Sequence, residues 1–295
     1  MDVRGKATII TGSAQGLGKA FALRLLASGA RVLLSDINQE AGLATLAELR
    51  ATFGEDRVAF VRCDVTDHGE LEALFDACEK ELGGQVDIFC NNAGINTNWG
   101  WRKCMEVNVM AAMDAMEVAL ARMGGRGGLV VNTASLAGVV PGWTRGAHSY
   151  FASKHAVLSM TRTLGSKNVF QETGVKVQAI CPCFADTAII DDKDGGREFR
   201  AQLEASTGIL AVEEVAEGFM QLVEHCGNGA AVLVYPNSPP MVWYDTNFGA
   251  VLALAMVSRA AKALTGVRLF HGIHQLLAIL AALLILHLLF GYFFF

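Results

Sequence analysis

The chain has 295 residues, 52 % of them hydrophobic, and a formal net charge of −5, which suits one large α/β domain with an addition. That acidic balance leaves no basic stripe for nucleic acid, so no nucleic-acid partner is expected. The seven cysteines are scattered, and Cys181 and Cys183 form a lone C-x-C with no second pair at ligand spacing. No metal site is therefore expected, and reduced thiols in a cytosol-facing protein fit best.

Met1 to Lys6 carries no charged-then-apolar leader and runs into a first strand at Ala7–Ile10. From there strand-length apolar runs alternate with amphipathic helical stretches, the pattern of a doubly wound parallel sheet. A helix over Gly16–Ser28 ends at Gly29, followed by a strand at Arg31–Ser35 and a helix at Gln39–Thr52. The third strand is Val58–Val61, its helix Gly69–Leu82, and the fourth strand Val86–Cys90. A long helix is predicted near Arg102–Met123, a fifth strand at Gly128–Asn132, one helix over Ser149–Phe170 and a sixth strand at Val175–Ile180. The charged stretch Asp191–Gly208 reads as a mobile loop or short helices, before a helix at Val212–Cys226 and a last strand at Ala231–Tyr235. Composition shifts after Pro239-Pro240, which puts a domain boundary near Asp245: residues 1–245 form the catalytic domain and 246–295 an extension.

Between the first strand and first helix lies Thr11-Gly12-Ser13-Ala14-Gln15-Gly16-Leu17-Gly18. Glycines there allow a tight turn and close approach of backbone to a pyrophosphate, which the helix N-terminus then holds. Asp36 closes the second strand, where a carboxylate accepts from the ribose hydroxyls of adenosine and repels a 2′-phosphate. No basic residue stands at Gln15, Ile37 or Asn38, so NAD is favoured over NADP. The alternative for Asp36 is a helix cap or a solvated turn acid. Cys63-Asp64-Val65 ends the third strand, where Asp64 either meets the adenine amino group or caps the next helix.

Tyr150 and Lys154 lie four apart on a predicted helix and share a face. An ammonium beside a phenol favours the phenolate, a base able to take an alcohol proton as hydride leaves for a nicotinamide. Ser135 follows the fifth strand at the carboxyl edge of the sheet, where ligands bind in such folds, and can hold the substrate oxygen.

Together Thr11 to Gly18, Asp64, Asn91-Asn92-Ala93-Gly94, Asn108, Ser135, Tyr150-Phe151-Ala152-Ser153-Lys154 and Pro182 to Thr187 resemble the short-chain dehydrogenases/reductases over roughly the first 245 residues. The resemblance implies a Rossmann-type sheet and a catalytic set of Asn108, Ser135, Tyr150 and Lys154. In it Tyr150 is the base, Lys154 binds the nicotinamide ribose and lowers the Tyr150 pKa, Ser135 orients substrate and Asn108 holds a relay water. It implies that NAD is bound by Gly12, Ser13, Gln15, Gly16, Leu17, Gly18, Asp36, Ile37, Cys63, Asp64, Val65, Asn91, Ala93, Gly94, Tyr150, Lys154, Pro182, Phe184, Ala185 and Thr187. It also implies a homodimer.

Within that family the chain is most similar to the NAD-dependent 15-hydroxyprostaglandin dehydrogenases, through Cys63-Asp64-Val65, Ser135-Leu136-Ala137-Gly138, Ala152-Ser153-Lys154-His155, Ala179-Ile180-Cys181-Pro182 and Tyr244-Asp245-Thr246. It departs in a longer Leu136–Ser149 segment, in Gly146-Ala147-His148 where that group has a substrate-binding glutamine, and in Cys183 where that group has glycine. His148 either substitutes as a substrate contact beside Ser135 and Tyr150 or is a solvated loop residue.

Leu276–Phe295 is apolar except for His287 and Gly291, about the length that spans a bilayer core. With Arg259, Lys262 and Arg268 before it, the segment near 273–295 reads as a membrane anchor that leaves the enzyme facing the cytosol. A buried helix, or a cover over an oily pocket, is the other reading. The sequence therefore points to oxidation of a secondary hydroxyl on a lipophilic substrate, a hydroxy fatty acid or prostanoid. The alternatives are a retinoid or steroid dehydrogenase and a catalytically silent membrane-bound binding protein.

Overall fold

The computed structural model describes residues 1–140, 145–191 and 196–243. Chain contacts divide the protein after Asp245, and every described residue falls in the unit Met1–Asp245. The extension, with its apolar run, lies outside the described residues. Among the described residues no helix is long and apolar enough to cross a membrane.

Among the described residues eight strands form one sheet: β1 (Ala7–Thr11), β2 (Arg31–Asp36), β3 (Val58–Arg62), β4 (Val86–Asn91), β5 (Gly128–Thr133), β6 (Val175–Pro182), β7 (Ala231–Val234) and β8 (Met241–Trp243). Their spatial order is β3-β2-β1-β4-β5-β6-β7-β8, parallel except for the antiparallel β7–β8 pair. All five residues of β1 are buried, Thr8 and Thr11 among them, because helices cover the sheet on both sides.

The helices are α1 (Gly16–Ala27), α2 (Gln39–Phe53), α3 (His68–Leu82), α4 (Gly100–Met105), α5 (Ala112–Met123), α6 (His148–Leu164), α7 (Lys167–Thr173), α8 (Ala188–Asp191), α9 (Gly196–Ser206) and α10 (Val212–His225). Asn38 and Asp67 cap α2 and α3 by accepting from Ala41 N and Glu70 N. Phe21 of α1 stacks on Phe219 of α10 at 4.3 Å, inside a core that also takes Val32 and Leu34 from the sheet. On the opposite face α3 and α5 close a second core around Phe75, Phe89 and Met116. A smaller cluster sets Val157 and Leu158 of α6 against Ala179 and Cys181 of β6. Strand order reverses at β1, whose neighbours are β2 and β4, so the crevice for a ligand opens at the carboxyl ends of these strands.

Two expectations are corrected, one is decided and one strand is added. The single helix expected over Ser149–Phe170 is two, α6 and α7, because Gly165 passes so close to Gly229 that a Cβ would lie 2.6 Å from its Cα, and Ser166 starts a new cap. The helix expected at Arg102–Met123 begins at Gly100 and carries a π-helical turn, Glu106–Ala111, between α4 and α5. Of the two readings of Asp191–Gly208, a mobile loop or short helices, the described residues bear out the helical one, with the 11-residue α9. Strand β8 was not anticipated, since three residues after two prolines give too short a pattern to read.

Candidate functional site

The glycine loop turns from β1 into α1 with Gly12 at φ 63° and Gly16 at φ 57°, angles that side-chain-bearing residues rarely adopt. A Cβ on Gly18 would lie 2.3 Å from Gly12 O, and one on Gly12 would lie 2.8 Å from Ala93 Cα. The loop, α1 and the start of the segment after β4 therefore close-pack through backbone. Gln15, the residue that precedes α1, makes no side-chain cap bond, so the first N–H groups of α1 keep the capacity to hold a phosphate. Ser13 is used differently from expectation. Its Oγ donates to Ile10 O and Ser35 O, its N–H donates to Ser35 O, and its side chain is fully buried. Its side chain thus staples β1 to β2 under the loop. Leu17 packs onto the core.

At the adenosine end Asp36 Oδ2 accepts from Ala14 N at 3.0 Å and Oδ1 from Asn38 N at 3.0 Å. The carboxylate thus orients the loop that surrounds it, and since Asn38 caps α2, Asp36 is not the helix cap. Asp64 is not a cap either. It accepts from Thr66 N and Thr66 Oγ1 at 3.0 and 2.7 Å, which hold its carboxyl below the usual range, while Asp67 caps α3. Ile37 is 58 % exposed, an uncovered apolar side chain beside the position an adenine would take. Cys63 is buried, its thiol pushed up to about 12 by desolvation, so only its backbone can reach a cofactor. Val65 leans on the second core.

At the end of β4, Asn91 and the following Asn92 point in opposite directions, as strand alternation requires. Asn91 is buried and donates to Ala112 O and Asn132 Oδ1, so its side chain cannot line the cleft as expected. Asn92, expected with the Asn91–Gly94 motif to line the cofactor, donates to Thr11 O and Gly12 O at 2.9 and 3.0 Å and accepts from Thr133 Oγ1. It buttresses the glycine loop.

Asn108 sits in the π-helical turn, a feature frequent at functional sites. Its Oδ1 accepts from Ile95 N and its Nδ2 donates to Ile95 O, both at 2.8 Å, and to Ser153 Oγ at 3.1 Å. Ser153 Oγ in turn donates to Tyr150 O. A Cβ on Gly94 would lie 3.3 Å from Asn108 Oδ1 and 3.6 Å from Lys154 Nζ, so both polar groups converge where Gly94 leaves room.

Lys154 is 6 % exposed and donates to Thr133 O at 2.7 Å, with Nζ 5.7 Å from the centre of the Tyr150 ring. Burial brings its pKa down to about 8. Tyr150, half-buried on the cleft wall, is pushed up by desolvation, and the hydrogen bond from the Ser135 side chain opposes that shift. The resemblance implies that Lys154 lowers the Tyr150 pKa; among the protein's own groups burial raises Tyr150 and lowers Lys154, favouring the neutral form of each. Ser135 Oγ also accepts from Ala137 N at 3.1 Å.

Pro182 ends β6, and Phe184, Ala185 and Thr187 form the loop above it. A Cβ on Gly16 would lie 3.3 Å from the Thr187 methyl, so this loop faces the glycine loop across the crevice. Phe184 packs edge-on against Phe199 of α9 at 5.8 Å, and Ala185 bridges to Leu210. His148 is the exposed first residue of α6. Part of the segment before it, 141–144, lies outside the described residues.

The glycine cradle, the uncapped α1 and Asp36 at the end of β2 fit a dinucleotide. Comparison with known proteins agrees. The family model "short chain dehydrogenase" matches residues 6–197. The chain is 33 % identical over 268 residues to the NAD(+) 15-hydroxyprostaglandin dehydrogenase of Mus musculus, covering 86 % of this chain and 98 % of that one. It is 36 % identical over 196 residues to 3beta-hydroxysteroid dehydrogenase 2 of Eggerthella lenta, covering 63 % and 73 %. The crystal structure of a short chain dehydrogenase/reductase from Burkholderia phymatum in complex with NAD superposes with a TM-score of 0.69 at 27 % identity, covering 90 % of this chain and 96 % of that one. The cofactor is NAD, and the chain belongs to the short-chain dehydrogenase family as an NAD-dependent oxidoreductase acting on CH–OH groups.

Proposed function

We propose that the protein oxidises a secondary hydroxyl of a lipophilic substrate of the hydroxy fatty acid or prostanoid class to the ketone. The observation that carries this reading is the Ser135–Tyr150 hydrogen bond beside buried Lys154, opposite the glycine cradle. NAD, when bound, supplies the hydride acceptor. Ser135 donates to the substrate oxygen and orients the carbinol. Tyr150, as phenolate, takes the hydroxyl proton. Lys154 binds the nicotinamide ribose and adds the positive charge that favours the phenolate, and Asn108 holds a water that returns the proton to solvent. Gly12, Gln15, Gly16, Gly18, Asp36, Ile37, Asp64 and the Pro182–Thr187 loop bind the dinucleotide.

The prostanoid class is supported by the mouse relative, whose own name states its substrate. The bacterial 3beta-hydroxysteroid dehydrogenase supports a second reading, a steroid hydroxyl. Incubating the protein with NAD and a panel of hydroxy fatty acids, prostanoids, steroids and retinols, while NADH absorbance is followed, separates them. Turnover of none would end the lipid proposal. The proposal includes a membrane anchor in the apolar run Leu276–Phe295. Chains ending at Asp245 or Gly266 are expected to lose membrane sedimentation that the full chain shows. It also includes a homodimer, supported by Met110 and Met113, which stand exposed three residues apart on the outer helical face. Analytical ultracentrifugation tests that.

A further inference from the structure

The adenosine end carries a cation that neither Gln15, Ile37 nor Asn38 supplies. In the β2–β3 register Arg62 pairs with Asp36, placing it about 4.8 Å away, one strand spacing. The alternation that sends Leu34 and Phe60 to the same core carries Asp36 and Arg62, each two residues further on, to the same face. An arginine there is the group that recognises a 2′-phosphate. Here it is engaged elsewhere: Arg62 Nη1 donates to both carboxylate oxygens of Glu70 at 2.9 Å. Glu70 Oε2 also accepts from Asp64 N at 2.7 Å, and the Glu70 N–H donates to the capping Asp67. Glu70 is therefore fixed on the first turn of α3 and holds the guanidinium on that side.

We propose that Glu70 is a coenzyme-selectivity residue, which withholds Arg62 from the 2′-phosphate of NADP and so reinforces the repulsion by Asp36. The inference rests on the NAD assignment and goes beyond it by naming a second, distant determinant. An isolated exposed ion pair is weak, so the expected effect is a shift in preference, with Asp36 still in place.

The test uses the full chain and titrates NADH and NADPH by nicotinamide fluorescence, a readout independent of turnover. Glu70→Gln keeps an acceptor for Asp64 N and removes the charge that holds Arg62. It is expected to tighten NADPH five- to tenfold relative to NADH, with NADH itself within twofold. Added salt should shrink the gain, and Arg62→Gln in the same chain should abolish it. The charge-swapped pair Arg62→Glu/Glu70→Arg keeps the ion pair, moves the cation off β3, and should show no gain. An unchanged NADPH/NADH ratio, equal loosening of both nucleotides, or a gain that survives Arg62→Gln would each overturn the proposal. If the unmodified chain prefers NADPH, the NAD assignment falls instead.

Discussion

Lys154 offers a measurement that separates its charge from its packing. It is 6 % exposed, and burial lowers its pKa from the ordinary 10.5 to about 8. At ~1.4 kcal/mol per tenfold change, holding the charged form inside the fold costs about 3.5 kcal/mol. Between pH 8 and 10.5 the unfolded chain carries a proton that the folded chain has released, so stability rises with pH across that window. Below pH 8 the full cost is present. Lys154→Met keeps a similar volume and removes the titration, but it strips Thr133 O of its donor, a loss of about 1–3 kcal/mol. At pH 7 the relieved cost exceeds the lost bond, and the variant should be more stable than the parent by ~0.5–2.5 kcal/mol. At pH 10.5 only the lost hydrogen bond remains, and the variant should be less stable by ~1–3 kcal/mol. Urea unfolding of both proteins at pH 6.5, 8, 9.5 and 10.5, with equal slopes, gives the difference directly. A difference that stays flat to within ~0.5 kcal/mol would show that Lys154 folds with an ordinary pKa and refute the reasoning.

Tyr150→Phe should lower turnover by about 10²- to 10⁴-fold while the NADH dissociation constant moves less than threefold; parallel loss of both would mean that the phenol is structural. Because burial raises the Tyr150 pKa, its phenolate fraction grows with pH through the neutral range. Alcohol oxidation, followed as kcat/KM at saturating NAD, should therefore climb from pH 6 to about 8, where Lys154 begins to lose its charge, and a flat profile would place the phenolate below pH 6. Gly18→Ala sets a Cβ 2.3 Å from Gly12 O and 2.8 Å from Ser13 Cα, backbone that cannot step aside. Titration should show NADH affinity reduced at least tenfold, and near-normal binding would mean that the cradle yields.

What could be read from the sequence divides along a physical line. Strands such as Ile9 and Ile10 or Val130 and Val131 declare themselves because a doubly covered strand must be apolar. The Tyr150–Lys154 pair declares itself because four residues bring two side chains onto one helical face. The break at Gly165 was hidden because the hydrophobic period runs across it; the cause is Gly229, remote in sequence. The π-helical turn around Asn108 was hidden because one extra residue per turn barely disturbs the pattern. The opposite directions of Asn91 and Asn92 were available from strand alternation, a signal present but unused.

Arg62 shows most plainly why linear proximity is a poor guide to the adenosine end. Reading outward from Asp36 along the chain finds Ile37 and Asn38, both uncharged. The sheet sets Arg62 beside the same carboxylate from a strand 26 positions later, and Glu70, eight residues further still, decides what that cation can do. Coenzyme preference in this fold is therefore a property of three neighbouring segments. Substitution at Asp36 alone should weaken NADH without admitting NADPH fully, since the cation that would receive the phosphate stays bound to Glu70. Releasing both, in Asp36→Ser/Glu70→Gln, should raise the NADPH/NADH preference by more than the product of the two single changes. Simple multiplicativity, measured by the same fluorescence titration, would show that Glu70 and Asp36 act independently.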